Sequence, residues 1–219
     1  MGKLKFTALV LLTVFFISNI LNGQQDDKAG KILDGLSERI KSSPSVSIDF
    51  TIIMSAMQDE FSEEYDGKLN MKGDQYKLNV MGLETWFDGT STYTYMPDVN
   101  EVIISDPDED GGLLSNPAEI FNLYHDEFNY RLVEELTLEG KRLYEIDLHP
   151  RDRSHSFHTV KLFINQQDNL LHSAVIAGKD GNRYTLIVND MDNTGNLPDS
   201  FFVFNKSDYP GLEVIDMRW

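Results

Sequence analysis

The sequence predicts a mainly β, α+β fold: an antiparallel sheet of about eleven strands, curled into a barrel or half-barrel, with short helices over its mouth. Three observations predict it. Period-two alternation of apolar and polar residues dominates from Val46 to Asp190. Tight-turn signals separate the alternating runs. No long helical pattern lies between the runs to carry a parallel crossover.

Each element follows in chain order. Lys3 and Lys5 precede the apolar run Ala8–Ile17, and the small or polar residues Ser18, Asn19, Asn22 and Gly23 follow it. This is the three-part pattern of an export leader, with cleavage expected near Gly23–Gln24. Two domains of the sequence result: a signal peptide over 1–23 and one β-domain over 24–219. Cleavage leaves 17 basic and 36 acidic residues, so 17 − 36 = −19 in place of −17. Asp27 is the expected cap of a helix through about Lys41, because Ala29, Ile32, Leu33, Leu36 and Ile40 form one stripe at helical spacing. Ser42–Ser43–Pro44 ends it. Val46, Ile48, Phe50, Ile52 and Met54 then alternate with polar residues, as do Leu69 and Met71, and Tyr76, Leu78 and Val80. Gly73–Asp74 and Asp88–Gly89 mark turns, Tyr93 and Tyr95 share a face, and Glu101–Ser105 is another short strand. Later strands are expected at Phe128–Val133, Arg142–Pro150, Phe157–Ile164, Leu170–Ala177 and Asn182–Asp190. Between them, Asn116–Pro117 opens a short helix carrying Ile120 and Phe121. Leu197–Ser200 is irregular and leads into Phe201, Phe202, Val203 and Phe204.

A sheet with one apolar face must cover that face, and a few short helices cannot cover so wide a sheet if it is flat. The sheet must curl, and barrels of more than about eight strands keep an interior cavity. Aliphatic, aromatic and methionine side chains line it, which suits a ligand with an apolar body. Met54, Met71 and Met96 suit a flexible one, since thioether chains repack at low cost.

Composition narrows the function further. With 36 acidic against 19 basic residues, the surface repels phosphate and excludes a nucleic-acid binder with a broad basic face. The absence of cysteine excludes disulfides, cysteine–zinc sites, a thiol nucleophile and a lipid-modified N-terminal cysteine.

The ordered set of segments resembles the periplasmic outer-membrane lipoprotein carrier family (LolA-type). The resemblance spans the amphipathic first helix, Val46–Thr51, Met71–Leu78, and Phe87–Asp88–Gly89–Thr90 with Tyr93, Tyr95 and Pro97. It continues through Val99–Val102, Asn116–Phe121, Leu197–Phe204 and Pro210–Asp216. It implies an unclosed antiparallel half-barrel with a helical lid, acting as a monomer in the periplasm. In that family the hollow shelters lipoprotein acyl chains, taken from an inner-membrane lipoprotein-releasing transporter and passed to an outer-membrane acceptor. No cofactor and no enzymatic step are implied. On this reading Ile48, Phe50, Ile52, Leu69, Met71, Tyr76, Leu78, Tyr93 and Tyr95 contact the acyl chains. Leu33, Leu36, Ile120 and Phe121 belong to the lid. The family's lid-locking arginine has its counterpart in Lys72, which lacks the rigid guanidinium fork. The alternative is another exported lipid-binding or envelope-sensing protein on a similar half-barrel.

Other chemistries find little support. Asp106, Asp108, Asp110 and Gly111 match the first half of a calcium loop, but Pro117 stands where its bidentate glutamate belongs. His155 and His158 fall on opposite faces of a strand, unlike helical zinc pairs. No nucleophile elbow or phosphate-binding glycine loop is present. Glu134 and Glu135, being adjacent on a strand, cannot flank one glycosidic bond.

Overall fold

Alternation fixes which residues of each strand share a face, and the pairing of strands fixes how those faces join. The structure, a computed structural model, describes residues 26–56, 61–107 and 124–218. The expected leader, most of the acidic loop, and nearly all of the helix expected over 117–124, including Ile120 and Phe121, lie outside the described residues.

The chain runs α1 (Asp27–Lys41), β1 (Val46–Ala56), β2 (Ser62–Lys72), β3 (Gln75–Val80), β4 (Leu83–Phe87), β5 (Thr92–Met96) and β6 (Glu101–Ser105). It continues with α2 (Tyr124–Glu127), β7 (Phe128–Leu138), β8 (Lys141–Pro150), β9 (Phe157–Asn165), β10 (Leu171–Gly178), β11 (Asn182–Asp192) and β12 (Glu213–Asp216). Two 3₁₀ turns, Asp199–Phe202 and Lys206–Asp208, precede β12. Among the described residues, all twelve strands form one sheet in the order β12-β6-β5-β4-β3-β2-β1-β11-β10-β9-β8-β7. Its two edges, β12 and β7, do not pair with each other, so the half-barrel is open.

The meander is antiparallel as expected, with one exception. β12 adds in parallel to β6, matching Glu213 with Glu101 and Asp216 with Ile104. Parallel pairing needs a long connection, and the chain from β6 to β12 supplies it by passing through β7–β11 first.

Register carries the apolar face across the sheet. Tyr65, Ile52, Leu186, Ala174, Leu162, Ile146 and Leu132 oppose one another in turn from β2 to β7. Leu78, Leu69, Ile48 and Met191 form a second row. In a third, Phe50 faces Gly67, and its ring fills the space a side chain there would need: a Cβ on Gly67 would lie 2.4 Å from Phe50 Cζ. Such an aromatic over a strand glycine restores the packing the glycine lacks.

α1 lies over this concave face as a lid. Ala29, Ile32, Leu33, Leu36 and Ile40 are buried in the same core as β1–β3 and β7–β10. The cap is Asp26 rather than Asp27: its Oδ1 accepts the N–H groups of Lys28 and Ala29 at 3.0 and 3.1 Å. Asp27 then adds negative charge to the first turn, which favours the helix dipole.

Candidate functional site

The candidate site is the concave face, built from α1 and the inward rows. Ile48, Phe50, Ile52, Leu69, Met71, Tyr76 and Leu78 all lie on it, buried together with Leu33 and Leu36. They form its floor. The accessible part is a different set: Met54, Tyr65, Val80, Leu186 and Val188 pack against the core and stay half-buried. Period-two spacing exposes Leu186 and Val188 to sequence reading. Tyr65 is hidden among Glu63, Glu64 and Asp66. The Tyr65 hydroxyl donates to Glu63, and this bond raises the phenol's pKa.

The register separates two of the expected residues from the rest. Trp86 opposes Tyr93 and Glu84 opposes Tyr95, while Lys77 opposes Trp86. Tyr76 and Leu78 point into the concave face, so Lys77, Trp86, Tyr93 and Tyr95 point away from it. The C-terminal segment covers that convex side. Tyr93 stacks on Phe204 at 5.5 Å, Tyr95 lies 4.5 Å from Tyr209, and Trp86 meets both of these tail rings. Lys77 Nζ sits 4.4 Å above Trp86 and 5.5 Å from Phe201, with Glu84 at 3.0 Å. Phe202 and Val102 are fully buried here, outside the main core. The half-barrel therefore has two apolar clusters, one on each face of the sheet.

Lys72 belongs with the second cluster. Its Nζ donates to the Leu197 carbonyl at 2.9 Å and pairs with Asp199 at 2.6 Å, while Ser45 Oγ accepts Leu197 N at 3.1 Å. It fastens the tail, not α1. The flexible ammonium reaches both groups at the strand end, where the residue beyond Met71 faces outward.

The lid is held by other residues. Asp26 Oδ2 accepts Leu132 N at 2.9 Å, next to the bulge in β7. Burial works to raise the Asp26 pKa, but the N–H groups of Leu132, Ala29 and Lys28 and the Lys28 charge outweigh it and hold the carboxyl below its ordinary value. Lys28 pairs with Glu135 and lies 5.6 Å from the Tyr144 ring. That hydrogen bond raises the Lys28 pKa and lowers that of Glu135. Asn169 Nδ2 donates to the Ile32 carbonyl at 3.0 Å, and the approach needs Gly35, where a Cβ would stand 2.5 Å from that nitrogen. α1 is thus tied to β7 at its start and to the β9–β10 loop at its middle.

The remaining candidates separate. Asp108, Asp110 and Gly111 of the acidic loop lie outside the described residues. His155 packs against Phe157 at 5.2 Å and Phe128 at 6.3 Å, whereas His158 contacts Thr159 at 3.1 Å. Glu134 and Glu135 oppose Glu145 and Tyr144 in turn, and so face opposite ways.

No protein-family model matches the chain, and no curated protein matches it in sequence. Solved structures do. An uncharacterized conserved protein from Thermus thermophilus superposes with a TM-score of 0.60 at 14% identity, covering 86% of this chain and 99% of that one. A DUF1329 family protein from Desulfovibrio piger gives 0.51 at 13% identity, covering 85% and 100%. These two share the fold of this chain. A LolA superfamily protein from Nitrosomonas europaea gives 0.46 at 17% identity, covering 83% and 99%, a superposition too loose to add to them.

Proposed function

We propose that the protein is an exported carrier that holds the acyl chains of lipoproteins against its concave face and shuttles them from the inner to the outer membrane. One observation carries this reading: the concave face is apolar from β2 to β7, and Met54, Tyr65, Val80, Leu186 and Val188 remain half-buried on it. Covering that surface with acyl chain is favourable by about 0.8 kcal/mol per methylene. Release must overcome the same gain, which a shallow, half-covered surface makes possible. Residues 1–23 act as the leader, the periplasm is the workplace, and no covalent chemistry is needed. An inner-membrane transporter loads the carrier and an outer-membrane acceptor unloads it.

The test is to incubate the protein with energised inner-membrane vesicles containing radiolabelled lipoprotein. Labelled lipoprotein should appear in the soluble fraction, bound to the carrier. Leu186→Glu, which puts a charge on the half-buried part of the face, should abolish transfer while the chain is still exported. Lipid bound without any lipoprotein release would favour a lipid-binding envelope protein instead. Full transfer by Leu186→Glu would show that this face is not the site.

A further inference from the structure

The inward positions of β1 and β3 are aliphatic, aromatic or methionine throughout. Beyond β3 the same face changes character. Register partners share a face, so the row of Leu78 continues through Thr85 on β4, Thr94 on β5 and Ile103 on β6. The row of Tyr76 continues through Phe87, Thr92 and Ser105. Four hydroxyl-bearing residues thus stand together on the concave side, and all four are half-buried. Threonine suits a strand, but so does valine, which has nearly the same shape. Strand propensity accounts for the branched carbon and leaves the oxygen unexplained.

The protein satisfies these hydroxyls poorly. Thr85 Oγ1 and Thr94 Oγ1 lie 3.3 Å apart and bond each other. That bond uses one of their two hydrogens, so one O–H remains to be donated. Among the described residues, the side chains of Thr92 and Ser105 make no hydrogen bond. Half-buried polar groups without a protein partner are satisfied by water or by a ligand. From β3 to β6 neither row carries a charged side chain. The strip offers hydrogen bonds and no ion pair.

We propose that this strip is a subsite for the ester groups of a diacylglyceryl ligand, beside the floor that holds its acyl chains. Ester carbonyls are uncharged acceptors flanked by methylenes. The strip matches them, with hydroxyl donors flanked by Leu78, Phe87 and Ile103. A phosphate or carboxylate would find no cation in either row. Neighbouring strands lie about 4.8 Å apart, so the strip reaches about 10 Å from β4 to β6, directly beside the apolar floor at β3. The ligand then lies with its glyceryl group over β4–β6 and its chains toward β1 and β11. The subsite rests on the acyl-chain reading and deepens it: the floor holds hydrocarbon, and the strip selects the linkage.

Binding of two synthetic lipids to the full-length protein tests it. One is a diacylglycerol, and the other a dialkylglycerol of equal chain length, whose ether links lack the carbonyls. The protein should hold the diester about tenfold more tightly, the worth of about two hydrogen bonds. Thr85→Val/Thr94→Val should lose most of that preference. Thr85→Ser/Thr94→Ser keeps the hydroxyls and should keep the preference. Thr185→Val, on the opposite face between Ile53 and Val175, should keep it too. If the double valine variant does not fold, Thr94→Val alone should lower the preference about threefold. Equal binding of the two lipids by the wild type, or an unchanged preference in the valine variants, would overturn the subsite and leave the acyl-chain reading standing. Binding of neither lipid would overturn both. An S-diacylglyceryl-cysteine peptide, used as a competitor, separates the two sources of the ester group. Stronger competition than by diacylglycerol supports a lipoprotein as the source, and equal or weaker competition supports a free glycerolipid; the strip stands in either case.

Discussion

At the scale of single residues, Gly35 and Asn169 act as a pair. Replacing a mid-helix glycine by alanine ordinarily stabilises a helix by up to about 1 kcal/mol. Here Gly35→Ala should instead destabilise, by about 1 kcal/mol, because the new methyl displaces Asn169 from the Ile32 carbonyl. In an Asn169→Gly background the same substitution should become stabilising, since the obstacle is gone and glycine suits the positive φ of 58° there. Urea unfolding of the four proteins checks the sign reversal. Asp26 is the second such position. Asp26→Ala removes a helix cap and the bond to Leu132, and should cost about 1–2 kcal/mol. The pH dependence follows from the two carboxylates that hold α1. Asp26 and Glu135 both have folded pKa values below their ordinary 3.8 and 4.5. Their contribution is therefore present above those values and lost as pH falls below them. Protection of α1 amides, corrected for the intrinsic pH dependence of exchange, should fall below about pH 4 before that of β8–β10 does.

At the scale of elements, the C-terminal segment is the part the sequence conceals. The inward faces of β1, β3 and β9 are legible because apolar and polar residues alternate over much of each strand and α1 offers a matching stripe. Tyr93 and Tyr95 alternate just as well, yet alternation says only that they share a face. Which face is buried depends on the tail, and Phe201–Phe204 is an unbroken apolar run with no period. β12 is too short to announce itself: Glu213–Asp216 has four residues, two of them charged at its ends. Lys72 is legible as a fastening cation, but its partner lies 125 residues away. The half-buried Tyr65 is screened by its acidic neighbours. Phe202→Ala should cost about 3–5 kcal/mol, as for a fully buried aromatic. It should also shift Trp86 fluorescence to the red, because Trp86 shares the convex cluster with the tail. An unchanged unfolding midpoint would mean that the tail contributes little to holding β3–β6.

At the scale of the whole molecule, like charge opposes compactness. With a formal charge of −17 the folded chain repels itself, so added sodium chloride should raise the melting temperature through screening. A falling melting temperature would mean that the ion pairs around Lys28, Lys72 and Lys161 outweigh the repulsion.

The strand nearest the N-terminus is also the middle of the sheet. β1 sits between β2 and β11, and Asn189 on β11 bonds Thr51 on β1 across 138 residues of sequence. Its first neighbour arrives early in synthesis, its second only after β2–β10 have been made. Until then the nascent polypeptide cannot complete its sheet, and contacts this distant in sequence form slowly. A chain that stays unfolded this long remains threadable through a narrow pore, which is what the proposed export requires.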